Sequence, residues 1–456
     1  EVITYLESVG TQFGPHLNAH TSFDETVYKL TVPTDDAEVF DTGLRVLQEW
    51  ACCLTLDPEE IEKERGVVLE EWRLRQGLSQ RMTDVTMPLN FGDSRYVARL
   101  PIGTPESLKT FDPAVVARFY RDWYRPDLMA IIVAGDIDLD AVEAQIRERF
   151  GAVPAPQGGR ERLREDVPEP AASEFVVFAD PELTRTGFNV STRFDDHEAE
   201  TLRDWRRFRL GQVALGALNE RLAELSRDPA APFLGLGTSA SLMTPREGVH
   251  TAGVGAKDGR SLEAIERLLL EVKRFREYGV TAPELARAKA NILETMDKYE
   301  REAEDTDSTV AADEIVRHFL TGETMPGTAV EAQLTRDVLQ TISLDDVNAW
   351  AAKFLEGPAT HFLSLPEKGE IPTAADLQAV VAKVDAAVVE PPESQEAPER
   401  LLPTPSPGTV SDRDDRWLQS MGFEGRVLSN GVHVYTKKTD LKAGEVLLSG
   451  WRRGGL

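Results

Sequence analysis

Residues 57–72 read DPEEIEKERGVVLEEW and residues 281–296 read TAPELARAKANILETM. Set one beneath the other, Glu284 falls under Glu60, Leu285 under Ile61, Arg287 under Lys63, Lys289 under Arg65, Leu293 under Leu69 and Glu294 under Glu70. The surroundings repeat as well. FDPAVVARFYRDWYRPDLMAIIV, from Phe111, reads as a helix followed by a strand, and SLDDVNAWAAKFLEGPATHFLSL, from Ser343, has the same order. A helix recurring in register within a recurring order of elements predicts two copies of one α+β unit. Among the differences between the copies, Ala288 stands for Glu64 and Thr295 for Glu71.

Those two glutamates are the chemically informative pair. On an α-helix seven residues turn through about 700°, so Glu64 and Glu71 lie within roughly 20° of one another. The expected face also carries Ile61, Val67, Val68 and Trp72, whereas Glu62, Lys63, Arg65 and Glu70 point elsewhere. An amphipathic helix turns such a stripe inward, and a buried carboxylate is tolerated only when paired, hydrogen-bonded or bound to a metal. The pattern alone favours a solvated, salt-bridged helix face over a cation held by Glu64 and Glu71, and the loss of both carboxylates in the second copy shifts the reading toward the cation.

Around this helix the first unit, residues 1–150, opens with a helix from Val2 to Val9 stopped by Gly10. Alternation over His16 to Ser22 and Glu25 to Val32 predicts two strands. Thr34 is expected to cap a helix reaching Leu54. Asp57-Pro58 starts the glutamate helix, with proline just inside. LPIGTPES reads as irregular, Asp112-Pro113 starts another helix, LMAIIVAGD reads as a buried strand, and Asp138 to Phe150 closes the unit as a helix. A linker at 151–170 leads to the second unit, 171–385, with strands at Glu174 to Ala179 and Thr186 to Thr192 and a helix from Ser261 to Tyr278 stopped by Gly279. A Pro-rich linker, 386–422, precedes a β-hairpin with Asn430-Gly431 at its turn. That hairpin is expected to begin a third unit, 423–456.

Composition narrows the function classes. The 456 residues carry 78 Asp and Glu against 51 Lys and Arg, a formal charge of -27. Such a field repels nucleic acid and anionic membranes and favours cationic partners. Cys52 and Cys53 are the only cysteines, so neither a disulfide framework nor a Cys-x-x-Cys site can be built. No apolar run approaches the roughly 20 residues of a membrane span. Because the chain starts on EVITYLESVG without Met and stops at WRRGGL after a strand-like run, it is expected to be a segment of a longer protein.

YLESVG, LNAHTSFDETVY, ERGVVLEE, SRYVARLPIGTPESL and FYRDWYRPDLMAIIVAGD, in that order, resemble the pitrilysin/insulinase family of zinc peptidases. The resemblance covers essentially the whole chain. It implies an α+β fold of tandem homologous two-layer units, an antiparallel-rich sheet packed by helices, with the first unit catalytic and the second degenerate. In that family two His of H-x-x-E-H and a Glu on a later helix hold Zn2+. Carried over, Glu71 resembles the zinc ligand, Glu64 the carboxylate supporting the site, and Asn18 and Ala19 the strand that takes substrate by β-addition. Three protein ligands leave a zinc position open for water, the usual arrangement for metal-activated hydrolysis.

This chain has no H-x-x-E-H. The two His and the general base are expected upstream of Glu1, which would leave the segment alone without activity. The implied function is zinc-dependent hydrolysis of peptides or unfolded polypeptides, with the remaining C-terminal units as intramolecular partners and a periplasmic or secreted location. The alternative is a non-catalytic peptide-binding or assembly subunit of the same fold. His16 and His20 lie four apart on a predicted strand with no intervening Glu, so they are expected to bind nothing. His197, His250, His318, His361 and His433 occur singly.

Overall fold

The computed structural model describes residues 2–12, 14, 16–154, 158–163, 165–195, 201–244, 247–393, 403–404, 406–413, 419–441 and 446–454. Residues Glu1–Ser394 form one compact unit and Gln395–Leu456 another.

Helix α1 (Val2–Ser8) leads to a hairpin of β1 (Leu17–Thr21) and β2 (Thr26–Leu30), paired antiparallel with Leu17 opposite Leu30. The next helices begin where short polar side chains satisfy their first amides. For α2 (Ala37–Cys52) the cap is Asp36 rather than Thr34. Its Oδ1 accepts from Glu38 N at 2.9 Å and Val39 N at 3.3 Å, a geometry open only to the residue at the helix boundary itself. Asp57 caps α3 (Pro58–Leu74), the glutamate helix, by accepting from Glu59 N at 2.8 Å.

Helices α4 (Leu78–Phe91) and α5 (Arg95–Ala98) precede the stretch expected to be irregular, and α6 (Pro105–Thr110) begins in its last three residues. Helix α4 tolerates Pro88 close to its C-terminal end. Asp112 and Asp138 cap α7 (Pro113–Trp123) and α8 (Leu139–Phe150). Between them 129–134 makes no strand ladder among the described residues, although a strand was expected. Ile131, Ile132 and Val133 are half-buried there, so the apolar run is explained by packing alone.

The connector 151–170 was expected to be a loose linker, and its second part is pinned instead. Val167 is 6 % exposed in a cluster with Phe91 and Tyr96. The Arg125 guanidinium donates to Arg160 O at 2.9 Å, and Arg193 Nη1 donates to Pro168 O at 2.6 Å. One apolar residue and two carbonyls suffice to tie down a Pro- and charge-rich stretch, which composition alone conceals.

Beyond it lie β3 (Glu174–Asp180), β4 (Thr186–Asp195), α9 (Leu202–Leu225), β5 (Phe233–Leu242), β6 (Glu247–Ala256), α10 (Ser261–Tyr278) and α11 (Ala282–Glu302). They are followed by α12 (Ser308–Thr321), α13 (Thr328–Thr341), α14 (Leu344–Ala351), β7 (Thr360–Pro366) and α15 (Ala374–Ala386). The strands form one sheet in the order β3-β7-β4-β6-β5, antiparallel except for the parallel β3–β7 pair. Phe188 and Val190 of β4, Ala252 and Val254 of β6 and Leu363 of β7 pack in one cluster with Val213, Leu218 and Leu222 of α9 and Leu268 and Phe275 of α10. Burying each such Leu or Phe fully is worth about 1.5–3 kcal/mol, so this two-layer core anchors the unit. Gly279 stops α10 at φ 67°, where a side chain would be strained.

After α15 the chain runs along α10. Val389 is buried, Tyr278 donates its hydroxyl to Val389 O at 3.0 Å, and Lys273 Nζ donates to Ala387 O at 2.7 Å, so Ala387 and Val389 are held against α10 while Val388 between them is exposed. In the second compact unit β8 (Val410–Arg413), β9 (Glu424–Leu428) and β10 (His433–Thr436) form an antiparallel sheet in the order β10-β9-β8. Strand β8 falls in the expected linker 386–422. The β9–β10 turn is at Asn430-Gly431 as anticipated, with Gly431 at φ 84° and Leu428 N donating to Val432 O at 2.8 Å.

Candidate functional site

Helix α3 is held by one side. Arg65 lies with its guanidinium 3.9 Å from the centre of the Phe111 ring and donates to Phe111 O at 2.7 Å and to Leu108 O, while Val68 and Leu69 are half-buried. The opposite side is open. Glu64 and Glu71 are both exposed, and with them Val67 (58 %) and Leu74 (81 %). The expectation that the glutamates share an inward stripe is thus corrected for the described residues. Arg65, read as outward, is the side chain that docks the helix, because its guanidinium can satisfy two carbonyls while its stem packs.

Glu71 pairs with Arg75 at 2.5 Å, one turn on, and Glu70 pairs with Arg73 at 2.7 Å on a different side of the helix. The equivalent face of α11 is covered at the Glu64 position but not at the Glu71 position, where Thr295 is exposed. Ala288, which stands for Glu64, is buried, and a Cβ built at Gly216 of α9 would lie 3.9 Å from its own Cβ. No described element covers α3 in that way.

The described residues alone do not compose a zinc site. Among them no three His, Cys, Asp or Glu side chains converge on one point. The carboxylate of Glu71 has only a guanidinium as its partner, and His16 Nδ1 accepts from Gln12 N at 3.1 Å rather than meeting a carboxylate. Zinc prefers nitrogen and sulfur ligands alongside carboxylate, so any zinc at Glu71 needs ligands from outside the described residues.

Among the described residues strand β1 has one open edge. Thr31 N donates to His16 O and Ser22 N to Glu25 O. In an antiparallel ladder hydrogen-bonded pairs alternate, so Asn18 and His20 bond to β2 while Leu17, Ala19 and Thr21 aim their amides and carbonyls outward. Leu17 spends its groups locally, accepting from Gly14 N at 2.9 Å and donating to Gln12 O at 3.2 Å. The outward amide of Ala19 is met by its neighbour, Asn18 Oδ1, at 2.8 Å. The two residues expected to bind substrate thus sit together on an exposed edge, one covering the amide of the other.

Behind them lie residues that sequence reading missed. Tyr28, opposite Ala19, shares a 2.7 Å hydrogen bond with Tyr124 and packs 5.5 Å from the Trp50 ring. Burial and then the Tyr124 hydroxyl push the Tyr28 phenol well above its usual range, so it stays neutral. Lys29, opposite Asn18, pairs with Asp313 of α12 at 2.6 Å and ties the hairpin to the second half. Partners so distant in sequence leave no local pattern. Cys52 and Cys53 are joined at the end of α2, a link between neighbours that closes no loop and makes no framework.

The site is therefore an exposed edge strand and an open carboxylate-bearing helix in the first part of an α+β chain whose second part repeats the helix without the carboxylates. Residues 1–83 match the family model described as insulinase (peptidase family M16), and residues 110–292 match that of the peptidase M16 inactive domain. The chain belongs to this family, the pitrilysin/insulinase peptidases. It is 28 % identical to the zinc protease PQQL-like of Arabidopsis thaliana over 466 residues, 100 % of this chain and 45 % of that one. Against the probable zinc protease PqqL of Escherichia coli K12 it is 29 % identical over 296 residues, 64 % of this chain and 32 % of that one. The fold is that of the periplasmic protease PqqL of Escherichia coli, with a TM-score of 0.81 at 22 % identity, covering 97 % of this chain and 49 % of the other. The chain thus spans less than half the length of these curated relatives. Among the described residues no helix is long and apolar enough to cross a membrane.

Proposed function

We propose that the chain is part of a zinc-dependent endopeptidase that takes extended or unfolded polypeptide onto the edge of β1 and presents it to a metal held partly by α3. On this reading Glu71 is a zinc ligand, Glu64 supports it, and the remaining ligands and the general base lie outside the described residues. Residues 1–150 and 171–385 are two copies of one unit, of which only the first carries chemistry. The observation that carries the proposal is the contrast between the two copies. The α3 face bearing both carboxylates is open and lies in the half with the open β1 edge, whereas on α11 the Glu64 position is closed by Ala288 against α9 and the Glu71 position carries the exposed, uncharged Thr295.

The charge of -27 favours cationic substrates. The relatives named zinc proteases support the metal, and the periplasmic relative supports a location outside the cytoplasm. The test is hydrolysis of an unfolded polypeptide by the full-length protein, before and after chelation and after zinc is restored. Cleavage that is lost on chelation and recovered with zinc is expected. Polypeptide binding without cleavage under all three conditions would instead favour a non-catalytic subunit.

A further inference from the structure

The sheet of the second half ends in β5, a ten-residue strand bonded on one side to β6. Met243 N donates to Glu247 O at 2.8 Å, which fixes the alternation of the ladder. Gly235, Gly237, Ser239 and Ser241 bond to β6, and Leu236, Thr238, Ala240 and Leu242 aim their backbone groups at the outer edge. Such an edge is a template for another strand, and proteins guard it with charge, proline or a covering element. FLGLGTSASL has no charged residue and no proline. It carries small residues along its length and exposed leucines at Leu234 (61 %) and Leu242 (51 %).

At the middle of this edge stands Asn219 of α9. Thr238 N donates to Asn219 Oδ1 at 2.7 Å, Asn219 Nδ2 donates to Thr238 O at 2.9 Å, and the Thr238 hydroxyl donates to the same Oδ1 at 2.9 Å. A primary carboxamide has the donor and acceptor of a peptide unit, and here it pairs with both outward groups of one strand residue as an added strand would. Its helix cannot drift, because Leu218 and Leu222 beside it are fully buried. The contrast with β1 is direct: there, among the described residues, the Asn18 carboxamide meets the amide of Ala19, its own neighbour in the chain.

We propose that Asn219 is a built-in surrogate for an added strand, closing the β5 edge to extended peptides that would otherwise dock there. The inference rests on the ladder geometry and is independent of any zinc chemistry. Removing the carboxamide frees both outward backbone groups of Thr238, and two net hydrogen bonds of about 0.5–1.5 kcal/mol each correspond to roughly 5- to 150-fold in access to the edge.

The test uses the chain as it is, a short alternating valine–lysine peptide carrying a benzophenone side chain, and mass-spectrometric mapping of photoadducts. The wild-type chain is expected to give little adduct between Leu234 and Leu242, and Asn219→Ala at least about fivefold more there, with faster exchange of the Thr238 amide. Asn219→Asp keeps the acceptor, loses the donor and sets a carboxylate against Thr238 O, so it is expected to open the edge as well; it decides the matter if the alanine variant does not fold. Equal labelling of wild type and variants at β5 would overturn the proposal, as would a folded Asn219→Ala or Asn219→Asp with no adduct at β5.

Discussion

Glu60 and Glu284 hold the same register in the aligned sequences of α3 and α11, in opposite environments. Glu60 is exposed and pairs with exposed Lys63. Glu284 is buried, accepts two 2.8 Å hydrogen bonds from Arg221, and closes the capping box of α11 by accepting from Thr281 N at 2.7 Å. Arg221 is nearly as enclosed and donates also to Gly279 O at 3.0 Å. Removing one partner of such a pair strands the other charge, at a cost of roughly 3–5 kcal/mol. Glu284→Ala is therefore expected to destabilise the chain by about that much, and Glu284→Gln, which keeps an acceptor but not the charge, by at least about 1.5 kcal/mol. Glu60→Ala should leave the denaturation midpoint unchanged.

The pH dependence has a definite sign. Burial raises the Glu284 carboxyl, but Arg221 and the Thr281 hydrogen bonds outweigh it, and the net shift is downward. The folded state thus holds this proton less tightly than the unfolded chain, where the pKa is about 4.3. The stability from the pair is fully present above that value and lost as pH falls through the lower folded value. Urea denaturation of the three variants at neutral pH and near pH 3 reads this out. A Glu284→Ala loss below about 1 kcal/mol at neutral pH, or a wild-type advantage that grows as the solution is acidified, would refute the reasoning.

Two further outcomes are expected. Ala19→Pro removes an amide that faces away from β2, so the hairpin should fold while binding of a fluorescent extended peptide, read by anisotropy, is lost; retained binding would remove β1 from the substrate path. His250 lies 4.2 Å from the Phe194 ring and is pushed by burial down to about 4, so it folds neutral and protonation favours the unfolded chain. Stability should therefore fall between about pH 6.5 and 4, and His250→Phe should flatten that part of a thermal-melting profile.

The parts legible in the sequence were those whose cause is local. Asp57-Pro58, Asp112-Pro113 and Gly279 bound helices where expected, because a cap or a positive φ acts within a few residues. Helix α4 was not anticipated, and it carries Pro88 in its last turns at the loss of one backbone hydrogen bond. The strand expected at 128–136 depends on a neighbouring strand, which an apolar run cannot report. At the candidate site the angular relation of Glu64, Glu70 and Glu71 followed from helix geometry, whereas the inward orientation did not. Which face of α3 docks was decided by Arg65 meeting Phe111 and Leu108, contacts made far along the chain. Asn219 carried no signal at all, since its role exists only once α9 lies beside β5.

The central claim is that Glu71, rather than its neighbour Glu70, holds zinc with Glu64 behind it. The direct measurement is zinc per molecule, by elemental analysis, for the full-length protein and its Glu71→Gln, Glu64→Gln and Glu70→Gln variants, each also assayed for peptide hydrolysis. Loss of a ligand abolishes binding, and loss of a supporting partner weakens affinity or activity about 10- to 100-fold. The account predicts no zinc and no hydrolysis in Glu71→Gln, weakened zinc in Glu64→Gln and wild-type behaviour in Glu70→Gln, whose exposed carboxylate serves only Arg73. Full zinc occupancy in Glu71→Gln, or its loss in Glu70→Gln, would contradict the account.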